Sequence, residues 1–151
     1  MAELQRLVVD TNVAFKWFVR ERERNLPQAG QLLEDFLPSQ VGLLAPDVLD
    51  YKLSNLLRRA VQQGRLAIPP ALQAHRDFLA VGIILVDTAS LVHEALRLGL
   101  AHRISIFDAL FLLVGLRSNT SLVTDDERLS TAGAAAGCAV IRLGDYRPVS
   151  G

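Results

Sequence analysis

The chain has 151 residues, 50% of them hydrophobic and 21% charged, with Lys+Arg 16 balanced by Asp+Glu 16. That is enough apolar material for a core without staples, and it excludes a disordered chain. No run approaches the ~20 apolar residues of a membrane span, and no basic-then-apolar leader is visible. The single Cys138 excludes an internal disulfide and fits a reducing, cytoplasmic setting, while His75, His93 and His102 lack zinc-site spacing.

Taken in chain order, Leu7 to Asp10 reads as a strand, followed by an aromatic helix around Phe15, Trp17 and Phe18. "RERERN" (Arg20 to Asn25) reads as a solvated charged loop. Leu43 to Ala45 is a second strand. Pro46 suits the first position of a helix, and Gly64 suits its C-terminal cap. Pro69 and Pro70 start the next helix, Ile83 to Val86 is a third strand, and Thr88 opens a helix that closes at Gly99. Ser105 to Asn119 is helical, Ser121 to Thr124 a fourth strand, Thr124 to Gly137 a helix, and Ala139 to Leu143 a fifth strand. Short strands that are apolar on both faces and separated by helices predict a central parallel sheet of about five strands. With right-handed crossovers this becomes an α/β class, three-layer α/β/α sandwich. One domain over 1–147 with a short tail at 148–151 is expected.

In such sheets ligands bind outside the carboxyl ends of the strands. Asp10 closes the first strand, and Asp125 and Asp126 follow the fourth, so all three belong on that edge. Asp108 is the only charge between Ile104 and Leu116. Stabilising a helix dipole there contributes about 0.3–1 kcal/mol, whereas an unpaired carboxylate in an apolar helix costs several. For the other acids simple capping remains open. Thr124 and Glu127 have capping-box spacing, and Asp87–Thr88 repeats the strand–Asp–Thr pattern of Asp10–Thr11, where a cap is the favoured reading. Together, Asp10, Asp108 and Asp126 make an oxygen-only set whose carboxylates are expected within a few ångströms of each other. Such a set selects Mg²⁺ or Mn²⁺ over zinc, and its natural chemistry is phosphodiester hydrolysis.

The blocks "VVDTNVAFKWF", "LLAPDVLDYKLSNLLRRAVQQGRL", "RISIFDALFLLVGLR" and "SLVTDDERL" occur in the order and at the separations of a PIN domain. The chain resembles, in particular, the VapC-type toxins of toxin–antitoxin pairs. The resemblance implies a Mg²⁺- or Mn²⁺-dependent endoribonuclease acting on RNA, a homodimer, and a small cognate antitoxin covering the active-site side. It assigns the metal-binding and catalytic acids to Asp10, Asp108 and Asp126, with Thr11, Asn12, Asn55, Thr124 and Asp125 in support. One position departs: the family's Glu in the pattern Y-E-x-x-N is Lys52 here, within Tyr51 to Asn55. Asp47 and Asp50 point away from position 52 on a helix, so neither replaces that Glu. This leaves a second reading, a catalytically weakened protein that mainly binds antitoxin or RNA. A weaker third is a phosphoryl-handling receiver or phosphatase domain.

With no net charge to steer RNA, Lys16, Arg58 and Arg59 are the candidate phosphate contacts. The aromatic helix and the Leu53 to Leu57 region are expected to border a groove for an antitoxin segment.

Overall fold

Leu7, Val8 and Val9 are buried on both faces of the central strand β1 (Gln5–Val9), as an apolar run flanked by parallel neighbours must be. The computed structural model describes residues 5–38 and 41–148, so most of the expected tail lies outside the described residues. After β1 come α1 (Thr11–Phe15), α2 (Leu26–Phe36), β2 (Val41–Pro46), α3 (Val48–Gln62), α4 (Ile68–Val81) and β3 (Ile84–Val86). A 3₁₀ turn (Ala89–Leu91) then leads into α5 (Val92–His102), α6 (Ile106–Ser118), β4 (Ser121–Thr124), α7 (Glu127–Ala136) and β5 (Val140–Arg142).

The five strands form one parallel sheet in the order β3-β2-β1-β4-β5. Leu7 stands opposite Leu43 on one side and Ser121 on the other. Right-handed crossovers place α1 to α4 on one face and α5 to α7 on the other. Contacts of α1 with α3, α3 with α4, and α5 with both α6 and α7 agree with that division. The result is a three-layer α/β/α sandwich. The main core lies around the sheet, and a smaller apolar cluster of Leu91, Ala95, Ala109, Leu110 and Leu113 joins α5 to α6. Helix α6 packs on β1, β2 and β4, with Ala109 through Gly115 buried. Among the described residues no single helix is long and apolar enough to cross a membrane; α5 and α6 together are, but they meet at a 107° bend.

Several boundaries differ from expectation. Pro46 ends β2 opposite Val86, and the next backbone bond across the sheet comes from the Asp47 N–H, so its missing donor is not needed there. Helix α5 runs past Gly99 to His102, where Arg103 takes the left-handed conformation (φ 56°) that ends it. Gly99 serves close packing instead: a Cβ there would stand 2.9 Å from the Ile104 carbonyl oxygen. The α2 segment was not singled out in the sequence; Asn25, in the left-handed region, turns the charged loop into it.

Candidate active-site edge

Crossovers from β1 lead first to the β2–β3 side and later to the β4–β5 side, so the strand order reverses between β1 and β4. A crevice at the carboxyl edge is expected at such a point. Asp10 sits there, and its N–H donates to the Val123 carbonyl at 3.0 Å, tying the ends of the two strands together. Its carboxylate is 3% exposed, so it is the floor of the site. Oδ1 accepts the Thr11 N–H at 2.7 Å; Oδ2 accepts the Thr124 hydroxyl at 2.7 Å and the Asn12 amide at 3.1 Å. Burial pushes its pKa up, because the charged form is poorly solvated. The Thr124 hydrogen bond and the Lys52 charge pull it partly back, and Asp108 adds to the rise. The buried Thr11 hydroxyl finds no hydrogen-bond partner.

Asp108 arrives from the opposite face of the sheet, at the start of α6. Its N–H donates to the capping hydroxyl of Ser105 at 3.0 Å. The first turn of this otherwise buried helix stays open, with Ile106 and Phe107 exposed, and this lets a carboxylate exist there. The Lys52 ammonium from α3 lies 3.6 Å from Asp108 Oδ1, and 5.3 Å from the centroid of Phe111, one turn along α6. The Lys52 and Asp108 side chains are 31% and 26% exposed, so both stand nearer solvent than Asp10, whose carboxyl feels their charges. The two acids at position 47 and 50 are indeed committed elsewhere, Asp47 to the Thr88 hydroxyl and Asp50 to His75, each at 2.6 Å.

Asp126 behaves differently. Its Oδ1 accepts the N–H groups of Arg128 and Leu129 at 2.9 and 3.3 Å, making it the N-cap of α7. The cap expected of Thr124 is thus made by Asp126, because the Thr124 hydroxyl is engaged by Asp10 and by the Asp126 N–H. Asp125 is fixed by the Lys16 ammonium at 3.0 Å, Arg24 at 3.2 Å and the Asn25 amide at 2.8 Å, while its own N–H donates to Asn12. Burial alone would raise its pKa, but Lys16, Asn25 and Arg24 together outweigh this and lower it. Lys16 is itself 4% exposed and also pairs with Glu23, which pairs in turn with Arg65.

The "RERERN" stretch is therefore only partly a solvated loop: Glu23, Arg24 and Asn25 strap it to the sheet edge. Lys16, expected as a phosphate contact, is buried between two carboxylates. Arg58 and Arg59 are exposed on α3, and Asn55 accepts from Arg58 at 3.1 Å. Arg22 and Arg24 reach the rim of an open cavity of ≈ 490 Å³ beside Asn12 and Asp126. Nothing local in the sequence announced Arg24 or Asn25. Their partner, Asp125, is 101 and 100 residues away.

The aromatic helix packs inward: Phe15 is buried, and the Trp17 indole N–H donates to the Ala29 carbonyl at 2.8 Å. An apolar groove of ≈ 400 Å³ does exist, but between α3 and α4, lined by Leu57, Val61, Ile68 and Leu72. Of the expected border, Ser54 and Leu57 reach it.

The three expected metal-binding acids are placed unequally. Among the described residues no three His, Cys, Asp or Glu side chains converge closely enough to hold an ion. Asp126 is turned to its own helix, and an ammonium stands beside Asp108 where a cation would be held. Asp10 and Asp108 are the two acids left that could face an ion, with the Lys52 ammonium already beside the second.

A parallel sheet of this order, with acids from β1, α6 and the β4–α7 turn on one edge, defines an α/β domain that presents a polar site at its switch point. The chain belongs to the PIN domain family, which it matches over residues 7–135. Members of that family are of nuclease type and typically bind divalent metals. The fold is similar to the crystal structure of PAE2754 from Pyrobaculum aerophilum, with TM-score 0.69 and 18% identity over 92% of this chain and 91% of that one. It is also similar to a domain of a functionally unknown protein from Methanocaldococcus jannaschii DSM 2661, with TM-score 0.54 and 17% identity over 97% and 96% of the two chains. No curated protein matches the chain.

Proposed function

We propose that this protein acts on RNA as a toxin-type ribonuclease whose metal-dependent cleavage is held low by Lys52. The observation that carries the reading is the Lys52 ammonium 3.6 Å from Asp108 Oδ1. Asp108 is the partly exposed acid that a phosphodiester can approach, and Asp10 is the buried one that Thr11, Asn12 and Thr124 hold in orientation. Charge from Lys52 offsets part of the repulsion an RNA phosphate meets at this edge.

The fuller reading, unhindered Mg²⁺ or Mn²⁺ catalysis, draws support from the same contact. At 3.6 Å the pair is longer than the ~2.7–2.9 Å of a strong charge-assisted bond, and a lysine stem relocates its charge readily. Hydrolysis of labelled RNA with Mn²⁺ separates the two. The proposal expects slow cleavage by the wild type, none by Asp108→Asn, and a rate at least about tenfold higher for Lys52→Glu. Cleavage that Lys52→Glu leaves unchanged overturns the proposed role of Lys52.

Two partner proposals accompany this reading. The α3–α4 groove, flanked by Arg58 and His75, suits an antitoxin segment with apolar anchors and acidic ends. Val92, Leu96 and Leu100 form an exposed apolar stripe at four-residue spacing on α5, which suits a second copy of this chain. Light scattering on Leu96→Glu tests the latter: a homodimer that persists excludes that face.

A further inference from the structure

We infer that Lys52 is a built-in cation that lets RNA bind at this edge without a divalent ion. Its ammonium balances the Asp10–Asp108 pair and offers N–H donors to an RNA phosphate at the mouth of the site. The inference rests on the RNA reading above and deepens it by specifying how the phosphate is met.

Charge comes first. The Lys52 and Asp108 charges both reach the Asp10 carboxyl, the first favouring its ionised form and the second opposing it, on top of the larger effect of burial, so the three groups share one local field. Two carboxylates and one ammonium leave one formal negative charge. Three carboxylates around one dication leave the same. A carboxylate at position 52 would instead gather three negative charges at one point, an arrangement that needs a cation from solution. The lysine supplies the counter-charge covalently.

Geometry is the second part. Asp10 is sealed beneath the surface, whereas Lys52 and Asp108 are about equally open, so an approaching phosphate meets the ammonium before it meets the buried acid. An ammonium carries three donors, and the 3.6 Å contact with Asp108 occupies one of them at most. The Phe111 ring at 5.3 Å holds the charge near the site through its face. Lys16, the other lysine on this edge, lacks that freedom because it is buried between Glu23 and Asp125.

The test is binding of a short fluorescent single-stranded RNA to the whole chain, by anisotropy, in EDTA and in Mn²⁺. The wild type is expected to bind in EDTA with a Kd within about twofold of its value in Mn²⁺. Lys52→Gln, which keeps a polar side chain one atom shorter and removes the charge, is expected to lose about tenfold in EDTA, with its salt dependence flatter by about 0.7 in slope. Lys52→Glu is expected to lose binding in EDTA and regain it with Mn²⁺. Thermal melts of both variants establish that they are folded. Wild-type binding that appears only with Mn²⁺, or folded Lys52→Gln that binds as tightly as the wild type in EDTA, overturns the inference and leaves the RNA reading standing. No RNA binding under either condition overturns the RNA reading itself.

Discussion

Two lysines face acids on the same sheet edge, and their surroundings give them opposite characters. Lys16 is 4% exposed, with two carboxylate oxygens at 3.0 Å, one from the charged loop and one from the β4–α7 turn. Lys52 is 31% exposed, with a single carboxylate at 3.6 Å and an aromatic ring beneath it. The first is a rivet that joins three chain segments; removing it leaves Glu23 to Arg65, and Asp125 to Arg24 and Asn25, with no cation shared between them. The second is a counter-ion at an opening, free to exchange its partner for another anion. The acids follow suit. Asp125 beside Lys16 has its pKa lowered, while Asp10 beneath Lys52 has its pKa raised because burial wins over its partners. Burial and partner number, rather than residue type, decide which of two chemically identical pairs is structural.

The largest expected effect breaks the rivet. Lys16→Met leaves Glu23 and Asp125 partly buried without their shared cation, which costs about 3 kcal/mol. For a chain of this size that lowers Tm by about 6–12 °C. A melt within about 2 °C of the wild type would make Lys16 no more structural than Lys52.

Lys52→Glu sharpens the other side of the comparison. In EDTA the variant gathers like charges at the mouth, and its Tm should fall by about 4 °C. Added Mn²⁺ should restore the loss in the variant and leave the wild type nearly unmoved. Equal Mn²⁺ responses in the two proteins would contradict the counter-ion role.

Asp10→Asn probes the raised pKa. A carboxyl that holds its proton more tightly when folded contributes stability that is full below its ordinary value of 3.8 and lost as pH rises through the folded value. The variant, locked in the neutral form, should therefore melt above the wild type at pH 7, with the gain vanishing toward pH 4. Asp125 has the opposite sign: its contribution is present above 3.8 and disappears as pH falls through its lowered value. A variant no more stable at pH 7 than at pH 4, relative to the wild type, would show that Asp10 is not penalised by its burial.

The smallest effect concerns Asp126. As the cap of α7 it should cost about 0.5–1 kcal/mol on replacement by Ala, read as a Tm lower by about 2 °C, with RNA binding unchanged. Loss of RNA binding at unchanged Tm would return Asp126 to the functional group.

The fold was legible because its signals are local. Apolar runs such as Leu7 to Val9, the αL glycine ending α7 and the Ser105 cap opening α6 each act within a few residues. The placement of Asp10, Asp125 and Asp126 at the carboxyl ends of β1 and β4 follows from strand order, which short-range patterns also carry. What the sequence left unread depends on side chains meeting across the fold. Whether Thr124 or Asp126 caps α7 turns on the Asp10 carboxylate, which occupies the Thr124 hydroxyl from 114 residues away. That Lys16 is buried depends on Glu23 and Asp125 converging on it, and no spacing rule pairs those positions. Lys52 was conspicuous in the sequence as a charge reversal. Only the folded chain gives its partner.

The central claim, that the Lys52 ammonium beside Asp108 fills the place of a divalent cation, is tested most directly by calorimetric titration of Mn²⁺ into the wild type and Lys52→Glu at pH 7 and moderate salt. The account predicts a saturable site in the variant and binding at least about tenfold weaker in the wild type. Wild-type binding as tight as the variant's would contradict it.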